Sequence, residues 1–157
     1  MNKLDELRDI LNEYGHIFQN ISELETNAYP CMDVSLDLIN EPDFYAVDFT
    51  ETQQVYTLFF TGSSDYFPGI WIGHDDINDI DSMPVYMFDL SSDCETVEPV
   101  GNVKQYITQI IDSILVCPDI SDEDKRSANE LKMKLEPFSN TMIDKGHYRV
   151  KLVEYFD

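Results

Sequence analysis

FYAVDFT (residues 44–50) and QVYTLFFTG (residues 54–62) are two runs rich in β-branched and aromatic side chains, and they decide the predicted fold. Residues of these types favour β-strands. A short polar link, Glu51 to Gln53, separates the two runs. The sequence therefore predicts that they pair as an antiparallel hairpin.

Further elements are predicted on both sides of this hairpin. Before it, apolar residues at helical spacing predict an amphipathic helix from about residue 3 to residue 18, which Gly15 weakens or ends. Pro68-Gly69 and Met83-Pro84 are turn signals that bracket short strands. Strands are predicted at DVSLDL (33–38), GIWI (69–72), VYMFDL (85–90) and HYRVKLVEYF (147–156).

Two more helices are predicted in the second half of the chain. One carries isoleucines at helical spacing after Asn102, which is a natural N-cap. The other begins at Ser121, whose pairing with Asp124 imitates a capping box, and Pro137 should terminate it. The predicted fold class is α+β, an antiparallel sheet of about five or six strands with helices packed on one side. One helix is N-terminal and two lie in the C-terminal half, and the length of 157 residues fits a single domain, 1–157.

Negative charge is concentrated in the first two thirds of the chain. The formal net charge is -21, and the 95 residues from Asp9 to Val103 carry 19 acidic side chains and no Lys or Arg. From Lys104 onward, eight basic and ten acidic residues nearly balance. A surface of one sign attracts molecules of the opposite charge and speeds their association. We therefore expect a basic protein partner, and an acidic surface kept for solubility is the alternative.

The same features argue against several other ligands. Direct contact with nucleic acid needs Lys and Arg for the phosphates, and the acidic region lacks them. No apolar run approaches the roughly 18 residues of a membrane span, and the charged N-terminal sequence lacks the apolar core of a secretion signal. Cys31, Cys94 and Cys117 form no C-x-x-C motif, which fits a reducing cytoplasm. The sequence thus predicts a cytoplasmic protein without nucleic-acid or membrane contact, and it does not indicate the oligomeric state.

The motifs of common active sites are missing from the sequence. It contains no G-x-S-x-G and no H-E-x-x-H, and His74 is the one histidine beside a pair of acidic residues, Asp75 and Asp76. We expect a protein that is not an enzyme and that binds no cofactor. A calcium loop over residues 75–81 is a rival interpretation, but an EF-hand needs Gly at its sixth position and Glu at its twelfth, and neither possible start supplies them. Clustered aspartates also form ordinary turns.

The segment FPGIWIGHDDINDIDSMPVYMFDLSSDCETVEPVGNVKQYITQII (residues 67–111) resembles the SUKH superfamily of bacterial immunity proteins and cell-wall regulators. Members typically show a strand ending in Gly, a polar turn, a strand close to Pro-Val-Tyr-x-x-Asp-Leu, a second acidic turn and an amphipathic helix. Here Ile70–Gly73 and Pro84–Leu90 are similar to the two strands, with Asp89 at the acidic position. Thr96–Val100 then leads into the helix.

The resemblance implies a SUKH-like core over about residues 1–117 and a C-terminal helix-strand extension over 118–157. It also implies a non-enzymatic immunity protein that binds and neutralises a cognate toxin, commonly a nuclease. Since a nuclease presents a basic cleft to phosphate, an acidic surface suits such a partner. Two alternatives stay open. One is an acidic inhibitor or DNA mimic from a phage or mobile element, acting on a basic host nuclease or DNA-binding protein, and the other is a small hydrolase or calcium-responsive module.

The predicted partner-binding residues are mostly acidic and lie in or beside this segment: Asp65, Tyr66, Asp75, Asp76, Asp79, Asp81, Asp93 and Glu95. No catalytic or metal-binding residue is assigned. Affinity often concentrates in a few buried aromatic contacts. The candidates for such anchors fit core positions better than an interface: Tyr66, Phe67, Trp71 and Tyr86.

Overall fold

The computed structural model contains three α-helices and seven β-strands in the part of the chain that it describes. The described residues are 2–17, 33–38, 44–46, 55–60, 66–71, 77–89, 94–97, 99–118, 120–144 and 148–152, with side chains described at 2–17, 68–70, 78–86, 99–118 and 120–144. In chain order the elements are α1 (Lys3–Glu13), β1 (Asp33–Leu38), β2 (Phe44–Ala46), β3 (Val55–Phe60), β4 (Tyr66–Trp71), a 3₁₀ helix (Ile77–Ser82), β5 (Val85–Asp89), β6 (Cys94–Val97), α2 (Val103–Leu115), α3 (Asp122–Leu135) and β7 (Tyr148–Leu152).

The described strands form two antiparallel sheets. One sheet has four strands in the order β1-β3-β4-β5, and the other has three strands in the order β2-β7-β6. β2 pairs with β7, with Phe44 opposite Leu152, whereas β3 pairs with β1 and β4. The chain therefore passes from one sheet to the other between β2 and β3.

The predicted fold class, one antiparallel sheet of about five or six strands with helices packed on one side, is therefore wrong. The predicted hairpin of residues 44–50 and 54–62 is wrong as well, although each run contains a strand. These two strands are neighbours in sequence but do not pair with each other. β2 instead pairs with β7 from the other end of the chain, and β7 also pairs with β6, a strand that was not predicted.

β4 begins earlier than predicted, at Tyr66, so that Pro68 lies within the strand and not in front of it. Pro68 lies opposite Met87 of β5. In the described register, the pairing between β3 and β4 ends at Gly69. A proline has no backbone N–H for a ladder hydrogen bond, so it is tolerated where a strand has a neighbour on one side only.

The described core lies between the three α-helices, the 3₁₀ helix and the sheet end near β5. α1 contacts the 3₁₀ helix, β1 and α3, and α2 contacts α3. An isolated helix of 11 residues is marginal in water, and burial of each large aliphatic side chain contributes roughly 1.5–3 kcal/mol. Buried apolar residues from separate elements therefore hold α1 in place: Leu4, Leu7, Leu11, Ile70, Ile80, Met83, Val85, Val103, Ile107, Ile111, Ala128, Leu131 and Leu135.

The predicted helix starts in the second half of the chain are confirmed. Asn102 and Gln105 form a reciprocal capping box at the start of α2, and the Ser121 hydroxyl accepts from the backbone N–H of Asp124 at 3.1 Å at the start of α3. α3 ends at Leu135, just before Pro137. Local side-chain chemistry thus fixes where these two helices begin, and Pro137 lies just beyond the end of α3.

α1 is shorter than predicted. It ends at Glu13, and a 3₁₀ turn that includes Gly15 follows. Gly15 therefore lies just beyond the end of the helix, as its weak helix propensity predicts. Phe18, the last residue of the predicted helix, lies outside the described residues.

Candidate functional site

Two of the predicted partner-binding residues have described side chains. Asp79 and Asp81 lie in the 3₁₀ helix, and Asp79 is exposed. Tyr66 and Glu95 lie on β4 and β6, where the structure describes the backbone. The others lie outside the described residues, so their role stays a prediction: Asp65, Asp75, Asp76 and Asp93.

A partner-binding role does not fit Asp81, because its side chain is only 1% exposed. Both carboxylate oxygens lie 3.2 Å from Nζ of Lys3, and Oδ2 also accepts from the backbone N–H of Ser139 at 2.9 Å. A buried carboxylate needs such partners to offset its loss of hydration. Asp81 therefore links α1, the 3₁₀ helix and the segment after α3.

The segment after α3, residues 139–144, is here called the strap. The side chain of Asn102, fully buried, donates through Nδ2 to the carbonyl oxygens of Ser139 at 2.8 Å and Thr141 at 3.1 Å. At the far end, the N–H of Ile143 donates to the carbonyl of Ser82 at 2.8 Å. The strap is thus bonded to both the start of α2 and the end of the 3₁₀ helix.

Three exposed carboxylates lie on the outward side of α1, and we call them the acidic face: Glu6, Asp9 and Glu13. Their spacing of three and four residues places them on one side of a helix. The opposite side carries Leu4, Leu7 and Leu11, which are buried in the core. Apolar contacts on the opposite side of α1 therefore fix the helix that carries the acidic face.

The two cations of α1 are already engaged by other carboxylates. Lys3 contacts Asp81, and Nη1 of Arg8 lies 3.3 Å from Oδ1 of Asp5. Within the described part of the chain, none of the salt bridges involves a carboxylate of the acidic face. The charge of the acidic face is therefore not compensated by its own helix.

Polar side chains at the end of α1 and just after it also contact α3. The hydroxyl of Tyr14 donates to Oε2 of Glu130 at 3.4 Å, and Nε2 of His16 lies 3.8 Å from Oδ1 of Asp124. Burial raises the pKa of Tyr14 above its ordinary value, and the charges of Glu13 and Glu130 raise the pKa further. Two carboxylates from separate helices therefore act on one hydroxyl.

Sequence reasoning did not single out the acidic face, although its residues lie in a helix that was predicted. The signal was present in the phase of that helix. Once Leu4, Leu7 and Leu11 are assigned to the buried stripe, the residues at positions 6, 9 and 13 must point away from it. The predicted site residues lie instead among the denser aspartates of residues 75–81, of which Asp81 is buried.

The calcium-loop interpretation and the candidate aromatic anchors can be compared with the described residues in part. No group of three or more His, Cys, Asp or Glu side chains in the described part of the chain is arranged to hold a metal ion. Asp75 and Asp76 of the rival calcium loop lie outside that part. Tyr86, a candidate anchor, is fully buried and belongs to the interior, whereas the other three candidate aromatics have no described side chains.

The helices were also searched for a membrane span, and the chain was compared with known proteins. Among the helices that the structure describes, none combines the length and the apolar character that a membrane crossing requires. Comparison of the chain with protein-family models, with curated proteins and with solved structures gives no match in any of the three. The SUKH resemblance of residues 67–111 therefore stays a prediction.

Proposed function

We propose that this chain is a non-catalytic binding protein that docks a basic protein through the acidic face of α1. We further propose that it acts as an immunity protein, neutralising a cognate toxin of the nuclease type. The observation that carries the proposal is the acidic face itself, three exposed carboxylates on one helix whose own two cations are engaged elsewhere.

Charge on an anchored helix favours fast and specific association. Exposed charges are screened over about 8 Å at physiological salt, so they act mainly during encounter and at close contact. Three like charges on one helix side present a fixed pattern to a partner and raise its rate of association. The buried stripe behind the acidic face keeps that pattern in place without rearrangement.

The spacing of the acidic face suits a protein that normally binds phosphates. With a rise of about 1.5 Å per residue, the Cα atoms of Glu6 and Glu13 lie about 10 Å apart along the helix axis, with Asp9 between them. One strand of B-DNA carries a charge about every 3.4 Å of axis. The acidic face therefore has a linear charge density of the same order as one nucleic-acid strand, and it can compete for a cluster of Lys and Arg.

A rescue experiment in cells tests this proposal. The chain is co-expressed with a nuclease-type toxin taken from the genes that neighbour its own, as the wild type and as two variants with equal net charge. One variant neutralises the acidic face through Glu6→Gln, Asp9→Asn and Glu13→Gln. The control neutralises three exposed carboxylates on or next to α3 through Asp122→Asn, Glu123→Gln and Glu136→Gln.

Wild type and control should co-purify with the toxin and keep the cells alive, whereas the acidic-face variant should fail while it remains folded by circular dichroism. Survival with the acidic-face variant would contradict the assignment of the surface. If the wild type co-purifies instead with a host DNA-binding protein, the immunity role fails and an acidic inhibitor of that host protein replaces it.

A further inference from the structure

Asp81 is a buried carboxylate that joins the first turn of α1 to the strap. Lys3 lies in the first turn of α1, Ser139 begins the strap, and both donate to Oδ2 of Asp81, at 3.2 Å and 2.9 Å. Asp81 itself is 1% exposed, whereas the side chain of Lys3 is 45% exposed. A hydrated cation and a strap amide therefore share one buried acceptor.

The strap makes other hydrogen bonds besides this one, with Asn102, Lys104 and Gln105 at the start of α2 and with Ser82 of the 3₁₀ helix. Ser139 and Thr141 offer carbonyl oxygens to Asn102, and Ile143 donates its N–H to Ser82. The side chains of Asn140, Thr141 and Ile143 are exposed, so the strap is held by hydrogen bonds and not by an apolar stripe of its own. Segments of this kind open locally at lower cost than the core.

We propose that Asp81 couples the docking of the α1 N-terminus to closure of the strap, so that a change at Lys3 is transmitted to residues 139–144. When Lys3 is lost, the buried carboxylate keeps a single donor, the amide of Ser139, and it must regain water. The neighbouring Ile80 and Met83 are buried in the core. Water that enters at the vacated position of Lys3, which is partly exposed, competes with the amide of Ser139 for Oδ2 and so favours opening of the strap.

Coupling of this kind is reciprocal, because each site biases the same equilibrium. Loosening the strap must then weaken the hold on α1. A substitution of Lys104 can loosen the strap without touching Asp81. Its Nζ donates to Oδ1 of Asn140 at 2.7 Å and to the carbonyl of Glu136 at 3.0 Å. The proposal does not depend on the proposed function, since it concerns only contacts within the chain.

Hydrogen exchange of single amides, measured by NMR on the full chain, tests the coupling. Lys3→Met keeps most of the side-chain length and removes the charge. Lys132→Met is the matched control, because Lys132 also forms an ion pair, at 2.8 Å with Asp112, far from Asp81 in sequence. The reporters are the amides of Ser139 and Ile143, each compared with the core amide of Leu131.

Lys3→Met should speed exchange at Ser139 and Ile143 by at least about tenfold relative to Leu131, which corresponds to a shift of one decade in the local opening constant. Lys132→Met should leave that ratio unchanged, and Lys3→Arg should restore it. Faster exchange in α1 alone, or an equal increase at all amides, would overturn the proposal. If Lys3→Met does not fold, Lys104→Met gives the reverse test, and unchanged exchange at Asp5 and Glu6 would then overturn it.

Discussion

The side chain of Asn102 caps α2 with its oxygen and holds Ser139 with its nitrogen. Oδ1 accepts from the backbone N–H of Gln105 at 2.9 Å, and Nδ2 donates to the carbonyl of Ser139 at 2.8 Å. Because one buried amide makes both contacts, the start of α2 and the position of the strap depend on the same side chain. An aspartate could keep the first contact but not the second.

Asn102→Asp should therefore destabilise the protein although Asp is a good N-cap. The carboxylate would face two carbonyl oxygens in a fully buried site and would have no donor to offer them. We expect the free energy of unfolding to fall by about 2–4 kcal/mol, measured by urea denaturation. Ser121→Asp, at the exposed N-cap of α3, is the control and should change stability by no more than about 0.5 kcal/mol. Equal effects of the two variants would contradict this account.

Asp81→Asn should be costly, whereas Asp79→Asn should not. The two residues lie in the same 3₁₀ helix, but Asp81 is buried against Lys3 and Asp79 is exposed. An amide at position 81 can still accept from Ser139, so we expect a loss of about 1–3 kcal/mol in the free energy of unfolding. The exposed substitution should stay within about 0.5 kcal/mol of the wild type. The two variants are compared by chemical denaturation. Equal midpoints would contradict the different roles assigned to Asp81 and Asp79.

Gly101→Ala should be destabilising, in contrast to the usual small gain from removing a glycine. Gly101 has a φ of +124°, and an added Cβ would lie 3.0 Å from Cβ of Gln105 and 3.1 Å from its Oε1. That oxygen accepts from the N–H of Asn102 in the capping box. We expect the free energy of unfolding to fall by about 1–3 kcal/mol, which a lower thermal midpoint would show. A gain in stability would contradict the positive φ of Gly101.

Stability should fall in alkali in a way that depends on Tyr14. Burial, together with the charges of Glu13 and Glu130, raises the pKa of Tyr14 above 10.0. Because the folded pKa lies above the unfolded value, this contribution to stability is complete below pH 10.0 and is lost as the pH rises through the folded pKa.

Tyr14→Phe keeps the ring and removes the ionisable group. Its free energy of unfolding should therefore decline less than that of the wild type between about pH 9 and pH 11. Urea denaturation across this range, with absorbance at the tyrosinate band as an independent titration, measures both quantities. Parallel curves for the two proteins would show that Tyr14 has no part in the alkaline transition.

Local signals in the sequence predicted the helices well, because a cap or a breaker acts over a few residues. Asn102 and Ser121 start α2 and α3 as predicted, and the residues around Gly15 end α1. The pairing of strands was not predictable in the same way. The sequence runs that contain β2 and β3 are both rich in aromatic and β-branched residues, yet the two strands lie in different sheets. Only the distant partner, β7, decides where β2 belongs.

In the candidate site, too, features set by nearby residues could be predicted, whereas features set by distant residues could not. The phase of the leucines in α1 determines that Glu6, Asp9 and Glu13 face outward. The burial of Asp81 could not be predicted, because it depends on a lysine 78 residues earlier and a backbone amide 58 residues later. Two aspartates in one short stretch, Asp79 and Asp81, consequently have opposite environments.

The rate at which the chain associates with the nuclease-type toxin that is its proposed partner tests the central claim most directly. The rate constant is measured at several salt concentrations for the acidic-face variant, for the α3 control with the same net charge, and for the wild type. We predict that neutralising Glu6, Asp9 and Glu13 slows association by about tenfold or more at low salt and flattens the salt dependence, whereas the α3 control behaves like the wild type. Equal rates for the two variants would show that net charge alone matters and that the outward side of α1 is not the docking surface.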